Sequence, residues 1–144
     1  TDRMTVTLSD EARRLVALFE TETDATARDC VVDDEHDRVI FVVKTGEMGK
    51  AIGKGGEHVE RLEEELGKSV KLVEDAPTAE GFVANALAPA AVYNVTISEN
   101  DDRLAYAEVA QEDHGAAIGT EGKNIEAART LARRHHDIDD IELT

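Results

Sequence analysis

The chain of 144 residues contains no tryptophan, and aromatic residues make up only 3% of it. Hydrophobic residues still reach 41%, so we expect a core built from alanine, valine, isoleucine and leucine. The one cysteine, Cys30, excludes an internal disulfide, and its neighbours Val31 and Val32 predict a buried thiol within a strand. No apolar run approaches the roughly 20 residues that span a bilayer, and no secretory signal is visible. We therefore expect a cytoplasmic protein that does not bind a membrane.

Basic residues are scarce as well. The 32 acidic residues exceed the 16 lysines and arginines, for a formal net charge of −16. The acidity is evenly spread, because residues 1–76 hold 19 acids and 11 bases while residues 77–144 hold 13 and 5. This excludes an acidic tail, and the chain lacks the basic character usual in nucleic-acid binding. Molar salt shortens the Debye length to about 3 Å, so we interpret the acidity as adaptation to a halophile's cytoplasm. An acidic protein from a mesophile is the alternative.

An internal repeat organises the chain. A shift of 66 residues aligns residues 49–60 with residues 115–126. The identical pairs are Gly49/Gly115, Ala51/Ala117, Ile52/Ile118, Gly53/Gly119, Gly56/Gly122 and Glu60/Glu126. Such density around paired glycines predicts a tandem duplication.

The flanking patterns predict the same elements in both halves. The first half has a helix capped by Ser9 or Asp10, strands at 30–32 and 38–43, helices at 47–52 and after residue 56 as far as Gly67, and a strand at 70–73. The second half has a helix at 82–87, a strand with Tyr93, Val95 and Ile97, a strand at 104–109, a short helix near Ala116, a helix from Lys123 to about Arg134, and a strand with Ile138, Ile141 and Leu143. Residues 75–80 are predicted to link two domains, 1–76 and 77–144. We predict an α+β fold, α-β-β-α-α-β in each domain, with helices on one face of a three-stranded sheet.

Two glycine loops carry the candidate chemistry: Gly53-Lys54-Gly55-Gly56 and Gly119-Thr120-Glu121-Gly122. Glycine permits left-handed dihedrals and close approach of another backbone, and the following helix presents free N–H groups. Five of the six lysines lie between residues 44 and 71, around the first loop. We expect these loops to bind a phosphate backbone. The alternative is that each is a glycine-rich turn that binds nothing.

Enzyme motifs are absent from the sequence. The chain lacks the residue spacing of the phosphate-loop motif. It also lacks that of the dinucleotide-binding motif, because His58 stands at the third glycine position. No catalytic constellation is recognisable, so we expect no enzyme, no cofactor and no metal. The pair His135-His136 beside Asp137 is interpreted as a solvated helix end rather than a metal site.

The segments Ile52–Gly56 and Ile118–Gly122 resemble the Ile-Gly-x-x-Gly signature of KH domains, whose loop clamps about four nucleotides. The element order is similar to that of type II KH domains. A tandem pair that opens with Met4-Thr5-Val6-Thr7-Leu8 and continues Leu15-Val16-Ala17-Leu18-Phe19-Glu20 resembles the archaeal NusA-like family of transcription factors. Residues 1–3 precede that resemblance.

This resemblance implies single-stranded RNA binding and a part in transcription termination or antitermination. It places the sugar-phosphate backbone on Gly53, Lys54, Gly55 and Gly56, near Lys50, with Ile52 and Val59 lining an apolar groove and the edge of strand 38–43 offering hydrogen bonds. The corresponding second-repeat residues are Gly119, Thr120, Gly122, Lys123, Ile118 and Ile125. Glu121 departs from the pattern because its carboxylate repels phosphate, so we expect the second loop to bind more weakly.

The expected partners are single-stranded RNA and RNA polymerase, and a monomer is expected. The alternative is a protein-interaction adaptor on RNA polymerase or ribosomal components, with weak or no RNA binding. The acidity and Glu121 favour the adaptor, whereas Lys50 and Lys54 oppose it.

Overall fold

The computed structural model describes residues 6–144. The predicted resemblance at residues 4 and 5 therefore lies outside the described residues. The chain forms two compact units, one comprising Thr7–Asp75 and the other containing Ala76–Thr144. The limits 1–76 and 77–144 stay a prediction for the independently folding domains.

The first unit has the predicted order α-β-β-α-α-β. Its elements are α1 (Asp10–Thr23), β1 (Ala27–Asp33), β2 (Arg38–Val43), α2 (Met48–Ile52), a 3₁₀ turn (Lys54–Gly56), α3 (Glu57–Leu66) and β3 (Ser69–Glu74). The sheet runs β1-β2-β3, with β1 antiparallel and β3 parallel to the central strand.

The second unit repeats this order, which confirms the α+β class and the tandem type II KH arrangement. Its elements are α4 (Ala79–Ala86), β4 (Val92–Glu99), β5 (Arg103–Val109), a 3₁₀ turn (Gln111–Asp113), α5 (His114–Ile118), a 3₁₀ turn (Thr120–Gly122), α6 (Lys123–His136) and β6 (Asp140–Leu143). The sheet runs β4-β5-β6, again antiparallel and then parallel.

The core of the first unit lies between its helices and one face of its sheet. Phe19 of α1 stacks on Phe41 of β2 with ring centroids 4.6 Å apart, and Leu62 of α3 is fully buried in the same cluster. Cys30 is buried there, as predicted, and as the one cysteine of the sequence it forms no internal disulfide. Two of the three phenylalanines in the chain therefore fix α1 on the sheet.

Helix ends in this unit follow local chemistry. The Ser9 Oγ accepts a hydrogen bond from the Ala12 amide at 3.1 Å and so caps α1. Gly67 ends α3 in the left-handed region at φ 65°, which glycine adopts without a steric penalty. Both ends agree with the sequence-based prediction.

Small side chains dominate the core of the second unit. Ala105 and Ala107 of β5 are buried, as are Ala128 and Leu131 of α6. Phe82 of α4 is the large residue of this core. Alanine permits close packing of helix on sheet, consistent with a chain that has few aromatic residues.

Two expectations at the end of α6 are wrong. His135 is buried, and its ring centroid lies 5.3 Å from that of Phe82. His136 is half-buried, and its ring centroid lies 5.0 Å from that of Phe82. The imidazoles therefore belong to the packing between α4 and α6 rather than to a solvated end. Ile138 precedes β6 instead of lying in it, and its amide donates to the Ala132 carbonyl at 3.3 Å.

Between residues 6 and 144, no helix combines the length and apolar character needed to cross a membrane.

Candidate nucleic-acid interface

The first glycine loop joins α2 to α3 through a tight turn. Gly53 leaves α2 at φ 78° and ψ 169°, Gly55 lies at φ 65° and ψ 16°, and Gly56 at φ 80° and ψ 15°. The Gly56 amide donates to the Gly53 carbonyl at 3.1 Å. Three positive φ values in four residues explain why glycine recurs here.

The second loop has the same backbone. Gly119 lies at φ 80° and ψ 166°, Glu121 at φ 57° and ψ 23°, and Gly122 at φ 74° and ψ 10°. Corresponding angles in the two loops differ by at most 8°. Glu121 thus occupies the left-handed conformation that Gly55 adopts in the first loop. The duplication has preserved the shape of the turn while changing its chemistry.

A polar side chain at the start of the following helix anchors each loop. The His58 Nδ1 lies 2.8 Å from the Lys50 carbonyl oxygen. At the matching position, Asn124 donates through Nδ2 to the carbonyls of Ala117 and Leu87, each at 3.1 Å. Sequence reasoning did not identify these anchors, although both stand two residues after the last glycine of their loop.

The anchors also explain the first glycine of each loop. A Cβ atom on Gly53 would lie 2.7 Å from the His58 Cγ. A Cβ atom on Gly119 would lie 2.8 Å from both the Cβ and the backbone nitrogen of Asn124. Both positions also have positive φ, so an L side chain there is strained for two independent reasons.

The apolar side chains beside the loops are exposed to different degrees. Ile52 is 39% exposed and Ile118 is 43% exposed, the state expected of residues that contact a ligand. Val59 is half-buried, whereas its counterpart Ile125 is only 6% exposed. The first loop therefore has two accessible apolar neighbours, and the second has little beyond Ile118.

The charges on the first loop and on the helix before it are positive, whereas the first turn of α3 carries Glu57 and Glu60. Lys50 and Lys54 are exposed, and Lys54 forms no ion pair with any residue in the described range. The hydrogen bond from the Thr26 amide, 2.7 Å long, lowers the pKa of Glu47 against the effect of burial, and the charges of Lys50 and Lys44 add to it. The cations near this loop thus stabilise the ionised form of a neighbouring carboxylate.

The second loop carries a negative charge at its tip, and Lys123 stands where the first repeat has Glu57. Thr120 and Glu121 are exposed, and Lys123 is half-buried at the start of α6. The carboxylate of Glu121 lies where the first loop has no side chain. A phosphate at this loop would meet a negative charge in addition to the backbone N–H groups.

The expectation that the edge of β2 offers hydrogen bonds is wrong. β2 is the central strand and pairs with β1 on one side and β3 on the other. Among the described residues, β3 has no strand partner on its outer side, and α2 packs against β3. The backbone edge next to the first loop is therefore that of Ser69–Glu74.

Comparison with known protein families matches both halves of the chain. Residues 15–79 match the KH domain model, and residues 79–144 match the model of the NusA-like second KH domain. The two matches meet at residue 79 and together cover the chain from residue 15 onwards.

Several curated relatives share the "Probable transcription termination protein NusA" name. The protein from Halobacterium salinarum is 71% identical, with 98% of this chain and 100% of the relative covered. The protein from Halococcus morrhuae is 64% identical, covering 97% and 99%. That from Methanocaldococcus jannaschii is 35% identical, covering 96% and 75%. None of these three is named as an enzyme.

The fold also has a solved counterpart. The crystal structure of APE1850 is 33% identical and superimposes with a TM-score of 0.84, covering 95% of this chain and 100% of that one. The halobacterial relatives support the interpretation of the acidic composition as adaptation to high salt. With both repeats matched and the Halobacterium salinarum relative covered over its whole length, this chain belongs to the archaeal NusA-like family of proteins with two tandem KH domains.

Proposed function

We propose that this protein binds single-stranded RNA through its glycine loops, with the first loop as the principal phosphate clamp. The observation that carries the proposal is the left-handed Gly53–Gly56 turn, with the exposed cations Lys50 and Lys54 beside it. A KH loop of this kind holds the backbone of about four nucleotides.

In this proposal, the first loop and the residues beside it contact different parts of the RNA. The open space around Gly55 and Gly56, where a Cβ would meet nothing within 4 Å, lets a sugar-phosphate backbone approach the main chain. Lys54 and Lys50 supply charge to the phosphates. Ile52 and Val59 supply apolar surface for bases, and the outer edge of β3 offers backbone donors and acceptors to the base edges.

The second loop provides the same shape with a weaker charge. Gly119, Thr120 and Gly122 offer the backbone, Ile118 offers apolar contact, and Lys123 partly offsets Glu121. Ile125, being buried, supports the groove from beneath. We expect this loop to add length and orientation to the bound strand rather than most of the affinity.

The salt concentration determines which interactions contribute to RNA affinity. Counterion release contributes less to affinity as bulk salt rises, so long-range attraction is of little use at molar KCl. Close packing and backbone hydrogen bonds keep their strength under those conditions. The chain's net charge of −16 is therefore compatible with RNA binding at a small local site.

The biological role follows from the relatives. Their name places them in transcription termination, and we propose that this chain acts there by binding nascent RNA, with RNA polymerase as its protein partner. We further propose that the chain is a monomer in the cytoplasm and has no catalytic activity of its own.

Fluorescence anisotropy with a random single-stranded RNA in about 2 M KCl tests the proposal. We expect Lys54→Asp and Gly55→Asp each to weaken binding by about tenfold or more, since each places a carboxylate at the phosphate. Lys68→Asp is the matched control, because Lys68 lies after α3 in an exposed pair with Asp34 at 3.6 Å. Lys68→Asp changes the net charge by as much as Lys54→Asp does, and it should leave affinity nearly unchanged.

Two results would count against the RNA clamp. Wild-type protein that fails to bind RNA at any KCl concentration would favour the adaptor function, which the acidity and Glu121 support. Equal losses for Lys54→Asp and Lys68→Asp would mean that general charge, rather than the loop, governs binding.

A further inference from the structure

The second unit carries a cleft away from its glycine loop. It lies where the end of β5, the 3₁₀ turn Gln111–Asp113 and the start of α5 meet the first residues of β4, and its volume is about 810 Å³. Its lining includes the polar or aromatic residues Tyr93, Glu108, Gln111, His114 and Thr144, together with Val109 and Ala110. We call it the Tyr93 cleft. Its size is within the range that holds a small organic ligand.

Tyr93 itself is unusual in this chain. Among the described residues it is 69% exposed, more than the two other exposed large hydrophobic residues, Ile52 and Ile118. It is one of only two tyrosines in a sequence with 3% aromatic residues. The ring lies at a register shift in the pairing of β4 with β5, between Val92 and Asn94. A bulge of this kind re-aims a side chain, here away from the core in which the three phenylalanines are buried.

The polar groups of the cleft select the kind of ligand. Gln111 offers an amide donor and acceptor, His114 an imidazole, and Glu108 a carboxylate that accepts hydrogen bonds. No lysine or arginine lines the cleft. A phosphate is therefore disfavoured, whereas a neutral planar ring with hydrogen-bonding groups at its edge matches both the Tyr93 face and the polar rim.

The position of the cleft connects it to the glycine loop. α5 runs from His114, in the cleft, to Ile118, directly before Gly119. Five helical residues span about 7.5 Å, which is short enough for one strand of RNA to reach both places.

We propose that the Tyr93 cleft binds a nucleobase of the RNA strand that passes the second glycine loop. The proposal rests on the RNA binding proposed above and adds a site to it. Stacking on Tyr93 holds the base, and Gln111, His114 and Glu108 contact its edge. Because stacking involves no net charge, it persists in molar salt and supports binding on the unit whose loop carries Glu121.

The absence of tryptophan makes a direct optical test possible. In the Tyr106→Phe variant, Tyr93 is the sole tyrosine, and a base stacked on it should quench its fluorescence. Titration with an eight-nucleotide single-stranded RNA in high KCl should quench this emission with the same midpoint as the anisotropy change. In the Tyr93→Phe variant the emission comes from Tyr106 alone, which lies outside the cleft, and should stay nearly constant.

Affinity measurements complete the test. Tyr93→Ala should weaken binding of the same RNA by about five- to tenfold, while Tyr93→Phe retains the ring and should bind like wild type. The exposed position means that neither change disturbs the core. Circular dichroism of each variant verifies the fold.

The outcomes separate the two proposals. RNA that binds wild type and Tyr93→Ala equally, without quenching Tyr93, overturns the nucleobase site and leaves the glycine-loop function standing. Failure of wild-type protein to bind RNA overturns both. Quenching of Tyr93 together with weaker binding by Tyr93→Ala supports the site.

Discussion

The side chain at position 121 occupies a backbone conformation that its counterpart, Gly55, adopts without strain. A left-handed residue other than glycine costs about 1–2 kcal/mol, partly offset by the greater freedom that glycine has in the unfolded chain. With φ 57° at Glu121 and φ 65° at Gly55, the two positions form a natural comparison within one molecule.

We predict that Glu121→Gly stabilises the protein by about 0.5–1 kcal/mol in urea unfolding. Glu121→Gln keeps the strain and removes the charge, so it should leave stability nearly unchanged while strengthening RNA binding. Gly55→Gln is the reverse change and should destabilise by a similar amount. Equal stabilities of Glu121→Gly and Glu121→Gln would show that the turn carries no backbone strain.

At the scale of single elements, β3 contains a half-buried cation. Lys71 lies across from Ile40 of β2, and burial lowers its pKa to about 8, with the Arg38 guanidinium adding to the effect. The ordinary value of 10.5 applies to the unfolded chain. Below pH 8 both states hold the proton, and the folded state bears the full cost of the buried charge. Between these two values the unfolded chain binds more protons, so stability rises with pH.

We therefore predict that the free energy of unfolding increases from about pH 8 to pH 10.5, through the contribution of this one group. Lys71→Met should raise stability at neutral pH and remove that part of the increase. Lys68→Met serves as the control, since Lys68 is paired with Asp34 at the surface. Urea unfolding at several pH values measures both; an unchanged pH profile in Lys71→Met would contradict the assignment.

Elements with strong local signals could be predicted from the sequence, and those set by packing could not. The predicted strands at 30–32 and 38–43 located the turn of the hairpin to within one residue, and Ser9 and Gly67 marked the ends of two helices. The apolar side chain of Ile138 led to its prediction as a strand residue. The residue is instead buried in the connection between α6 and β6. His135 and His136 look like surface residues in sequence, and only the placement of α4 shows that Phe82 contacts both.

The candidate site, too, could be predicted from the sequence only in part. The glycine spacing predicted two equivalent turns, and their dihedral angles agree within 8°. The roles of His58 and Asn124 could not be predicted, because a polar residue two positions into a helix has many possible partners. The central position of β2 also depends on strand order, which the pattern of apolar residues alone does not determine.

For the molecule as a whole, the even spread of acidic residues predicts dependence on salt. Carboxylates repel one another over about 10 Å at 0.1 M salt, but over about 3 Å at 1 M. Burial and the charge of Glu22 raise the pKa of Glu65, which marks one place where carboxylates crowd.

We predict that the free energy of unfolding falls as KCl is reduced from about 2 M to 0.1 M, because screening of this repulsion is lost. Glu65→Gln should weaken the salt dependence more than Glu64→Gln, because both residues are exposed on α3 and Glu65 is the one beside the charge of Glu22. Urea unfolding across the KCl series measures the effect. Stability that is independent of salt would remove the physical basis for the halophilic interpretation.

The shared backbone of the two turns has an evolutionary consequence. Anchors outside the turn, His58 in one repeat and Asn124 in the other, hold a shape that tolerates different side chains at its tip. Recognition chemistry can therefore diverge between the copies by substitution at one or two tip positions, without rebuilding either fold. Exchange of Lys54-Gly55 with Thr120-Glu121 would therefore move the charge that contacts phosphate from one repeat to the other as a two-residue cassette.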